Sequence, residues 1–442
     1  MQFARRRSSS LTPELALWAE RIEKVARGYG LDFYEIVFEL LDAKDVNGIA
    51  AYGGFPVRYP SWRFGMEFER LEKGYEYGLS KIYELVINND PVVAYLVKSN
   101  SLLEQKLVMA HVCGHADFFA HNCWFQATDR HMLDTMGQHS TTVRRLVDRH
   151  GLERVETFMD AALSLETLLD PYLPLRGHLA KTKPTSLGAP PTYDILGFLC
   201  ERAPVEDWQR EILRIVRAEA YYFQPQRMTK IMNEGWASFW HSRILTGGVL
   251  DASEIVDFAD CHSGATARAP GRVNPYKLGI ELFRYAEELG HDVFALRRRH
   301  NDASLIDELV DETFVEREML FLYGKNARTA RTEVTDRDWR KVKDRLLGEL
   351  AWGGLPQIEL VAVDAHGKGE LSLLHHHDGR DLQLAHARET LLRLSAVWKG
   401  PVELVTREES EGRLLVCDGK EVEVSEIAAP STEAPTEQSG EH

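Results

Sequence analysis

The sequence predicts a mainly α-helical protein with a small α+β domain near its C-terminal end. Apolar residues recur three or four positions apart over most of residues 11–352, which is the period of helices that bury one face. After Gly353 and Gly354 the sequence changes to short alternating runs separated by glycine, the pattern of strands and turns. With 442 residues, 44% hydrophobic and 27% charged, the chain is expected to be globular, which excludes a rod or a wholly disordered chain.

At the N-terminal end, residues 1–10 are predicted to form a flexible tail. Residues 11–41 predict a pair of helices, the first opening at Thr12 and Pro13, a hydroxyl cap followed by proline in the first turn. The stretch 51–66 mixes five aromatic residues with glycine and proline, so it predicts an irregular loop. Its rings are expected to pack onto the helices, with closure over a site as the alternative.

Helical periodicity continues along the rest of the large domain. The predicted helices are 67–89, 102–126, 128–150, 153–169, 205–223, 226–245, 251–260, 276–289, 291–299, 303–323 and 336–350. A connection rich in proline and glycine interrupts them at residues 171–191. Residues 355–427 predict the α+β domain, of ββαββ type, and residues 428–442 predict a disordered acidic tail.

The composition excludes several classes of function. The formal net charge of −15 is unfavourable for binding nucleic acid or an anionic membrane through charge. No apolar run is long enough to span a membrane, and the arginines of residues 1–10 are not followed by the apolar core of a signal peptide. Five cysteines without a Cys-x-x-Cys pair are typical of a reducing compartment, so we expect a cytoplasmic protein. Glycine-rich nucleotide loops and the serine-hydrolase motif do not occur in the sequence.

The densest chemical pattern is AHVCGHADFFAHNC at residues 110–123. His111 and His115 stand four residues apart, so on a helix both imidazoles leave the same face about 6 Å apart, as two ligands of one metal ion require. For this pair taken alone, two buried histidines that bind other polar groups are the simpler alternative.

A second pattern, MNEGWASFWH at residues 232–241, favours the metal. Glu234 lies on an otherwise apolar and aromatic helix, where a carboxylate is costly to bury unless it binds a cation. We therefore predict a divalent metal ion, with zinc as the first choice, held by His111, His115 and Glu234. A salt bridge from Glu234 to an arginine, with two separate polar networks and no metal, is the alternative.

The histidine pair and the later Asn-Glu-Gly-x-Ala motif resemble the two-histidine, one-glutamate ligand set of the gluzincin metallopeptidases. In those enzymes a glutamate directly after the first histidine acts as general base, but this sequence has Val112 there. The 119 positions from His115 to Glu234 also exceed the spacing usual in that group. The resemblance therefore implies a zinc-dependent hydrolase only if another residue replaces the missing base.

Candidates for that base and for supporting roles lie on or near the same helices. His241 is predicted as an acid/base or an additional ligand. Glu104, seven residues before His111, is a second candidate base, although it could equally be a surface residue at the helix start. Asp117 is expected to bind a ring nitrogen of the pair and orient it. The remaining predicted pocket residues are His121, Asn233 and His262.

Two other features are predicted to be structural. His375, His376 and His377 end a predicted strand, where an exposed histidine run is favoured over a second metal site completed by His386. Cys261 is predicted to be a buried thiol.

Long stretches of the sequence are similar to the stage V sporulation protein R (SpoVR) family. The similar stretches are AYGGFPVRYPSWRFGMEFERLEKGYEYGLSKIYELVINNDPVVAYLVKSNSLLEQKLVMAHVCGH, MNEGWASFWHSRI and NPYKLGIELF. The resemblance covers most of residues 11–425. It implies a role in the spore cortex or, in bacteria that form no spores, in stress-related envelope processes. It also implies partnership with a serine protein kinase and a von Willebrand-type domain protein.

Three functions follow as hypotheses. The first is a metal-dependent hydrolase that cleaves an amide bond in a peptide or a peptidoglycan precursor. The second is a non-catalytic regulatory or scaffold protein with a structural metal, and the third is a protein whose histidines form a buried network without metal. A fourth protein ligand would mark a structural metal, whereas an open coordination position would mark a catalytic one.

Overall fold

The computed structural model describes residues 11–76, 84–179, 191–265, 273–325 and 332–428. Within these ranges the chain is mainly helical, with a five-stranded sheet close to the C-terminal end, which confirms the predicted fold class. The predicted tail of residues 1–10 and, beyond its first residue, the predicted tail of residues 428–442 lie outside the described residues. None of the helices in these ranges is both long and apolar enough to cross a membrane.

Helices make up most of the described residues. In chain order they are α1 (Pro13–Gly28), α2 (Ala43–Ala51), α3 (Trp62–Glu76), α4 (Leu102–His121), α5 (Met132–His150), α6 (Leu152–Ser164), α7 (Leu173–Leu179), α8 (Ile195–Arg202), α9 (Asp207–Met228), α10 (Lys230–Ile244), α11 (Ile255–Ala265), α12 (Pro275–Glu288), α13 (Val293–Arg299), α14 (Asp302–Leu309), α15 (Glu312–Arg317), α16 (Trp339–Leu350) and α17 (Leu384–Trp398).

The strands of the described residues form three sheets. They are β1 (Ile36–Leu41), β2 (Glu84–Ile87), β3 (Val92–Val97), β4 (Leu322–Lys325), β5 (Thr332–Asp336), β6 (Ile358–Val363), β7 (Leu371–His375), β8 (Val402–Glu408), β9 (Glu411–Cys417) and β10 (Val422–Ile427). The sheet orders are β1-β3-β2, β4-β5 and β10-β9-β8-β7-β6.

Strands replace two helical predictions near the N-terminal end. The second helix predicted within residues 11–41 is wrong, because β1 lies there and pairs in parallel with β3. The end of the predicted helix 67–89 is also wrong, because β2 lies there and pairs antiparallel with β3. Every residue of β3 is buried, and the β1 sequence IVFELL supplies β-branched and aromatic side chains beside it. For β1 and β2, burial in the sheet therefore outweighs the weak helical periodicity of the sequence.

Other predictions hold in part. The aromatic stretch 51–66 is a loop only in its centre, since α3 begins at Trp62, and the rings of Phe55 and Tyr59 are each only 1% exposed. The predicted helix 303–323 is divided into α14, α15 and β4, because Asp311 caps a new helix by accepting a hydrogen bond from the Phe314 N–H at 2.8 Å. The described part of the predicted connection 171–191 contains α7.

The chain divides into two compact units that differ from the predicted domains. The first unit takes residues 1–148 and 222–353, and the second takes residues 149–221 and 354–442. The sequence instead predicts boundaries at 11–352 and 355–427. Residues 149–221 join the C-terminal sheet because α6 packs on α17 and because Thr192 forms a bridge with Leu360 of β6.

In the first unit, three helices cross at very short distance. A Cβ atom added at Gly114 of α4 would lie 2.6 Å from Cα of Ala237 in α10. One added at Gly235, on α10, would lie 2.3 Å from the carbonyl carbon of Gly279 in α12. Glycine therefore permits both crossings, and they bring the polar residues of α4, α10 and α12 together.

In the second unit, the sheet has the order of strands and helix ββαβββ, one strand more than the predicted ββαββ type. β7 and β8 pair in parallel and are connected through α17, whereas the other neighbouring strands of this sheet are antiparallel. α17 packs against β8, β9 and β10. Leu371, Leu373, Val402, Leu404 and Leu415 are each at most 4% exposed and form the core beneath the helix.

Candidate metal centre

The two predicted histidine ligands leave one face of α4. α4 begins with a capping box, in which the Ser101 hydroxyl accepts from the Glu104 N–H and the Glu104 carboxylate accepts from the Ser101 N–H. Two turns further on, the rings of His111 and His115 lie with their centroids 4.6 Å apart, and both residues are buried. The helix thus holds two imidazoles on one face, as the sequence predicts.

Glu234 reaches this pair from α10. Its Oε2 lies 3.5 Å from Nε2 of His111 and 3.6 Å from Nε2 of His115. Two ligands of a tetrahedral ion with metal–ligand distances near 2.1 Å lie about 3.4 Å apart, so Oε2 has the separation from each nitrogen that a shared ion would require. Within the described residues these three form the one group of histidine, cysteine and acidic side chains with this convergence.

The outer nitrogens of both histidines have partners. Nδ1 of His115 is 2.9 Å from Oδ1 of Asn233, so the ring donates to the amide oxygen. Nδ1 of His111 is 2.8 Å from Nδ1 of His241. Metal-binding histidines usually direct the second nitrogen to such a partner, which fixes the ring and the tautomer. Both Nε2 atoms consequently face Glu234.

His241 continues the chain of imidazoles away from the site. Its Nε2 is 3.0 Å from Nδ1 of His262 on α11. If Nε2 of His111 binds a cation, Nδ1 of His111 carries the proton and donates to His241, which in turn donates from Nε2 to His262. His241 therefore orients His111 with both of its nitrogens engaged, and in this arrangement it is neither an additional ligand nor a free base.

Burial lowers the pKa of three histidines at or beside the site. Burial, aided by the neighbouring His111 and opposed by Glu234, lowers the pKa of His115 to about 4. Burial also holds the pKa of His241 well below its usual value and lowers the pKa of His262. Neutral imidazole is the form that binds metal ions, so burial prepares the site for a cation.

Glu234 carries the negative charge of the site. Burial alone would raise its pKa, but His111, His115 and a hydrogen bond from Tyr276 outweigh burial and hold the pKa below its usual value. Its Oε2 is buried and accepts no hydrogen bond of normal geometry from the described residues. A buried anionic oxygen between two imidazole rings is the arrangement expected of a cation ligand.

Tyr276 is a site residue that the sequence analysis did not select. It lies in the first turn of α12, which begins at Asn274, whose side chain accepts hydrogen bonds from the Tyr276 and Lys277 N–H groups. Its ring stacks over His111 with centroids 6.2 Å apart. The one signal in the sequence was its place inside the similar stretch NPYKLGIELF, but nothing in that stretch indicates that α12 lies beside α10.

The predicted roles of Glu104 and Asp117 need correction. The carboxylate of Glu104 caps α4 two turns from His111, so its position serves the helix and not the metal centre. Asp117 binds no ring of the pair: its carboxylate accepts from the Asp32 N–H and from Nε1 of Trp236, and it pairs with Arg297 at 3.4 Å. These contacts lie on the other side of α4, because Asp117 comes two residues after His115 and two residues are more than half a helical turn.

His121 also lies outside the site. At the end of α4, its Nε2 donates to the carbonyl of Asp32 at 2.9 Å. His375 is 3% exposed and forms a hydrogen bond with Thr406. The prediction of an exposed histidine run is therefore wrong for His375. Cys261 is exposed, so the prediction of a buried thiol is wrong too. It lies on the outer face of α11, beside His262.

Comparison with known proteins identifies similar sequences over nearly the whole chain. The model of the family described as "SpoVR like protein" matches residues 10–187 and 175–355, and that of the "SpoVR-like C-terminal domain" matches residues 356–409. A protein of Escherichia coli (strain K12) named "Uncharacterized protein YcgB" is 27% identical over 470 residues, which cover 89% of this chain and 92% of that protein. No solved structure matches.

Proposed function

The chain belongs to the SpoVR family, and from this premise and the site geometry we propose that it is a metal-dependent hydrolase of amide bonds. His111, His115 and Glu234 would hold a divalent ion, with zinc as the first choice. The substrate class is a peptide or a peptidoglycan-related amide. The proposal includes a cytoplasmic location, a role in spore cortex or stress-related envelope processes, and action with a serine protein kinase and a von Willebrand-type domain protein.

The observation that carries the proposal is the position of Glu234 Oε2. It is buried, anionic and 3.5 to 3.6 Å from two imidazole nitrogens that their outer partners direct toward it. A salt bridge to an arginine, the alternative raised by the sequence, does not occur among the residues that the structure describes: Arg243 pairs with Glu287 instead. A cation is the simplest group that satisfies all three ligand atoms.

Catalysis is favoured over a structural role by the number of ligands. Catalytic zinc sites have three protein ligands and one open position, whereas structural sites are closed by four. Zinc at such a site supplies a Lewis acid and lowers the pKa of a bound water to about 7. The hydrogen bond from Tyr276 to Glu234 places a phenol hydroxyl beside the ligand set. By turning from Glu234 to a bound substrate, this hydroxyl would stabilise negative charge on a substrate oxygen.

A non-catalytic protein with a bound metal is the second candidate, and a specific observation favours it. Val112 occupies the position of the usual base, Glu104 caps its helix, and His241 has both nitrogens engaged. A hydrolase built in this way would depend on the metal alone to generate its nucleophile.

Metal content tests the proposed site. Protein purified without a histidine tag is analysed for metals, next to the variants His111→Ala and Glu234→Ala. We expect close to one divalent ion per chain in the wild type and almost none in either variant. Wild-type protein without stoichiometric metal, or variants that retain it, would exclude this site.

Turnover separates the two candidates. The zinc-loaded protein is incubated with peptidoglycan-derived peptides and with a peptide mixture, and new amine groups are measured. For the hydrolase we expect Tyr276→Phe to retain the metal and to lose at least about tenfold in rate, since a single charge-stabilising donor is worth that much. No release of amines by a metal-loaded wild type would favour the non-catalytic candidate.

A further inference from the structure

A cleft in the second unit lies between α8 and the first half of α9. Its volume is about 580 Å³, and Arg210, Arg214 and Arg217 line it. We propose that this cleft binds the phosphate group of a small phosphorylated molecule. The proposal rests on residues of the second unit alone and is independent of the metal centre.

Two of the arginines are held in place by α8. Arg217 forms an ion pair through two nitrogens with Asp194, the residue that caps the start of α8 by accepting from the Gly197 N–H at 2.9 Å. Arg210 donates to the carbonyls of Cys200 and Ala203 at 2.7 and 2.9 Å, at the other end of the helix. Both guanidinium groups are therefore ordered before any ligand arrives.

The third arginine is available for a ligand. Arg214 lies four residues after Arg210 and three before Arg217, so the three side chains leave the same face of α9. It is exposed, and it makes no hydrogen bond or ion pair with any residue in the described ranges. Its guanidinium can close over a ligand that the other two contact.

The charges of the lining favour an anion. Asp194 is engaged by Arg217 and by the Gly197 N–H, and the acceptors of Arg210 are neutral carbonyls. Only Glu201 then opposes the charges of Arg210 and Arg214 among the described residues that line the cleft. Cys200 adds no charge, because burial raises its pKa to about 11.

Phosphate is the anion that matches this set of donors. The planar fork of arginine binds phosphate oxygens in pairs, so Arg214 can take two of the three terminal oxygens. The N–H groups of Arg210 and Arg217 that do not bind the carbonyls or Asp194 are left for the third oxygen. The volume lies within the range of small-molecule sites, which extends from about 300 to about 1,000 Å³, so the cleft has room for the organic part of the molecule as well.

Calorimetric titration of the full chain tests the proposal. The probes are inorganic phosphate, pyrophosphate and ribose 5-phosphate, at a sodium chloride concentration near 0.15 M that screens unspecific attraction. We expect saturable binding to wild type and at least about tenfold weaker binding to Arg214→Ala, which loses charged hydrogen bonds. Arg202→Ala, an exposed arginine of α8 outside the cleft, removes the same charge and should bind as wild type does.

Two further variants serve as controls for the phosphate titration. The His111→Ala variant must retain phosphate binding, since phosphate is also a ligand of bound zinc. Arg214→Lys keeps the charge but loses the fork, so it should weaken binding while its thermal unfolding remains that of wild type, because Arg214 makes no hydrogen bond or ion pair with the described residues. The proposal is overturned if wild type binds no phosphate probe, if Arg202→Ala and Arg214→Ala weaken binding equally, if His111→Ala abolishes binding, or if citrate binds more tightly than any phosphate probe.

Discussion

The two histidine clusters of the chain look alike in sequence and differ completely in structure. His111 and His115, one helical turn apart, turn their Nε2 atoms toward the same carboxylate. His375, His376 and His377 are consecutive and have separate partners: Thr406, Glu359 and Asp381 respectively. Spacing matched to the secondary structure, more than the number of histidines, thus decides whether the side chains converge on one carboxylate.

Removal of one ligand from each cluster should give the largest contrast. We expect His115→Ala to lose its bound metal almost completely, because two ligands seldom hold a divalent ion against dilution. The same measurement on His377→Ala should show wild-type metal content, since His377 pairs with Asp381 at 2.8 Å. Equal losses of bound metal from both variants would mean that His111, His115 and Glu234 do not form the metal site.

The helix crossing beneath the first cluster offers the second test. Gly235→Ala would place a methyl group 2.3 Å from the backbone of α12, so α10 must shift and move Glu234. We expect a loss of about 1 to 3 kcal/mol in the free energy of unfolding, measured by urea denaturation, together with weaker metal binding.

Gly137→Ala is the matched control for this substitution. Gly137 lies in α5 with open space around its Cβ position, and alanine there should stabilise the helix by about 1 kcal/mol at most. If Gly235→Ala behaves like Gly137→Ala, the crossing does not position the site.

The partners behind the histidines give a smaller effect. Asn233→Ala removes the acceptor of His115 Nδ1 and should weaken metal binding by about 10- to 100-fold, as loss of such partners usually does. Asn233→Asp keeps an acceptor oxygen and should restore most of the affinity. Competition with a chelator measures the metal affinity of both variants. An unchanged affinity in Asn233→Ala would show that Asn233 does not position His115.

The second cluster should affect the pH dependence of stability and leave the metal content unchanged. Burial lowers the pKa of His375 to about 4, below the value near 6.5 of an unfolded chain. A group whose pKa falls on folding because its charged form is disfavoured contributes stability that is present above about pH 6.5 and is lost as the pH falls toward 4. His375→Gln should therefore flatten the decrease in urea midpoint between pH 7 and 5.

His366→Gln serves as the control, because the His366 side chain is 61% exposed. It should leave the pH dependence unchanged. A pH dependence of His375→Gln identical to wild type would show that His375 is not the group that titrates.

Sequence and structure agree where a local pattern decides the outcome. The capped helix before His111, the four-residue spacing and the apolar surroundings of Glu234 are local, and they predict the three residues that the structure brings together. Tyr276 could not be predicted in this way, because its approach depends on the contact of Gly235 with Gly279, which are 44 positions apart. Asp117 was misassigned because helix spacing does not reveal which neighbour, Arg297 or a histidine, packs beside it.

The elements of the fold also divide into those that a local pattern predicts and those that depend on distant contacts. α1 follows from its cap and its period, whereas β1 forms because β3, more than fifty positions later, pairs with it. The place of residues 149–221 in the second unit likewise depends on distant contacts such as Thr192 with Leu360.

X-ray absorption at the metal edge of untagged protein tests whether His111, His115 and Glu234 bind one metal ion. We expect two imidazole nitrogens, one carboxylate oxygen and one further light-atom ligand around a single ion, with the spectrum of one imidazole lost in His115→Ala. A coordination shell that contains sulfur, a shell of four histidines, or no bound metal at all would contradict this expectation.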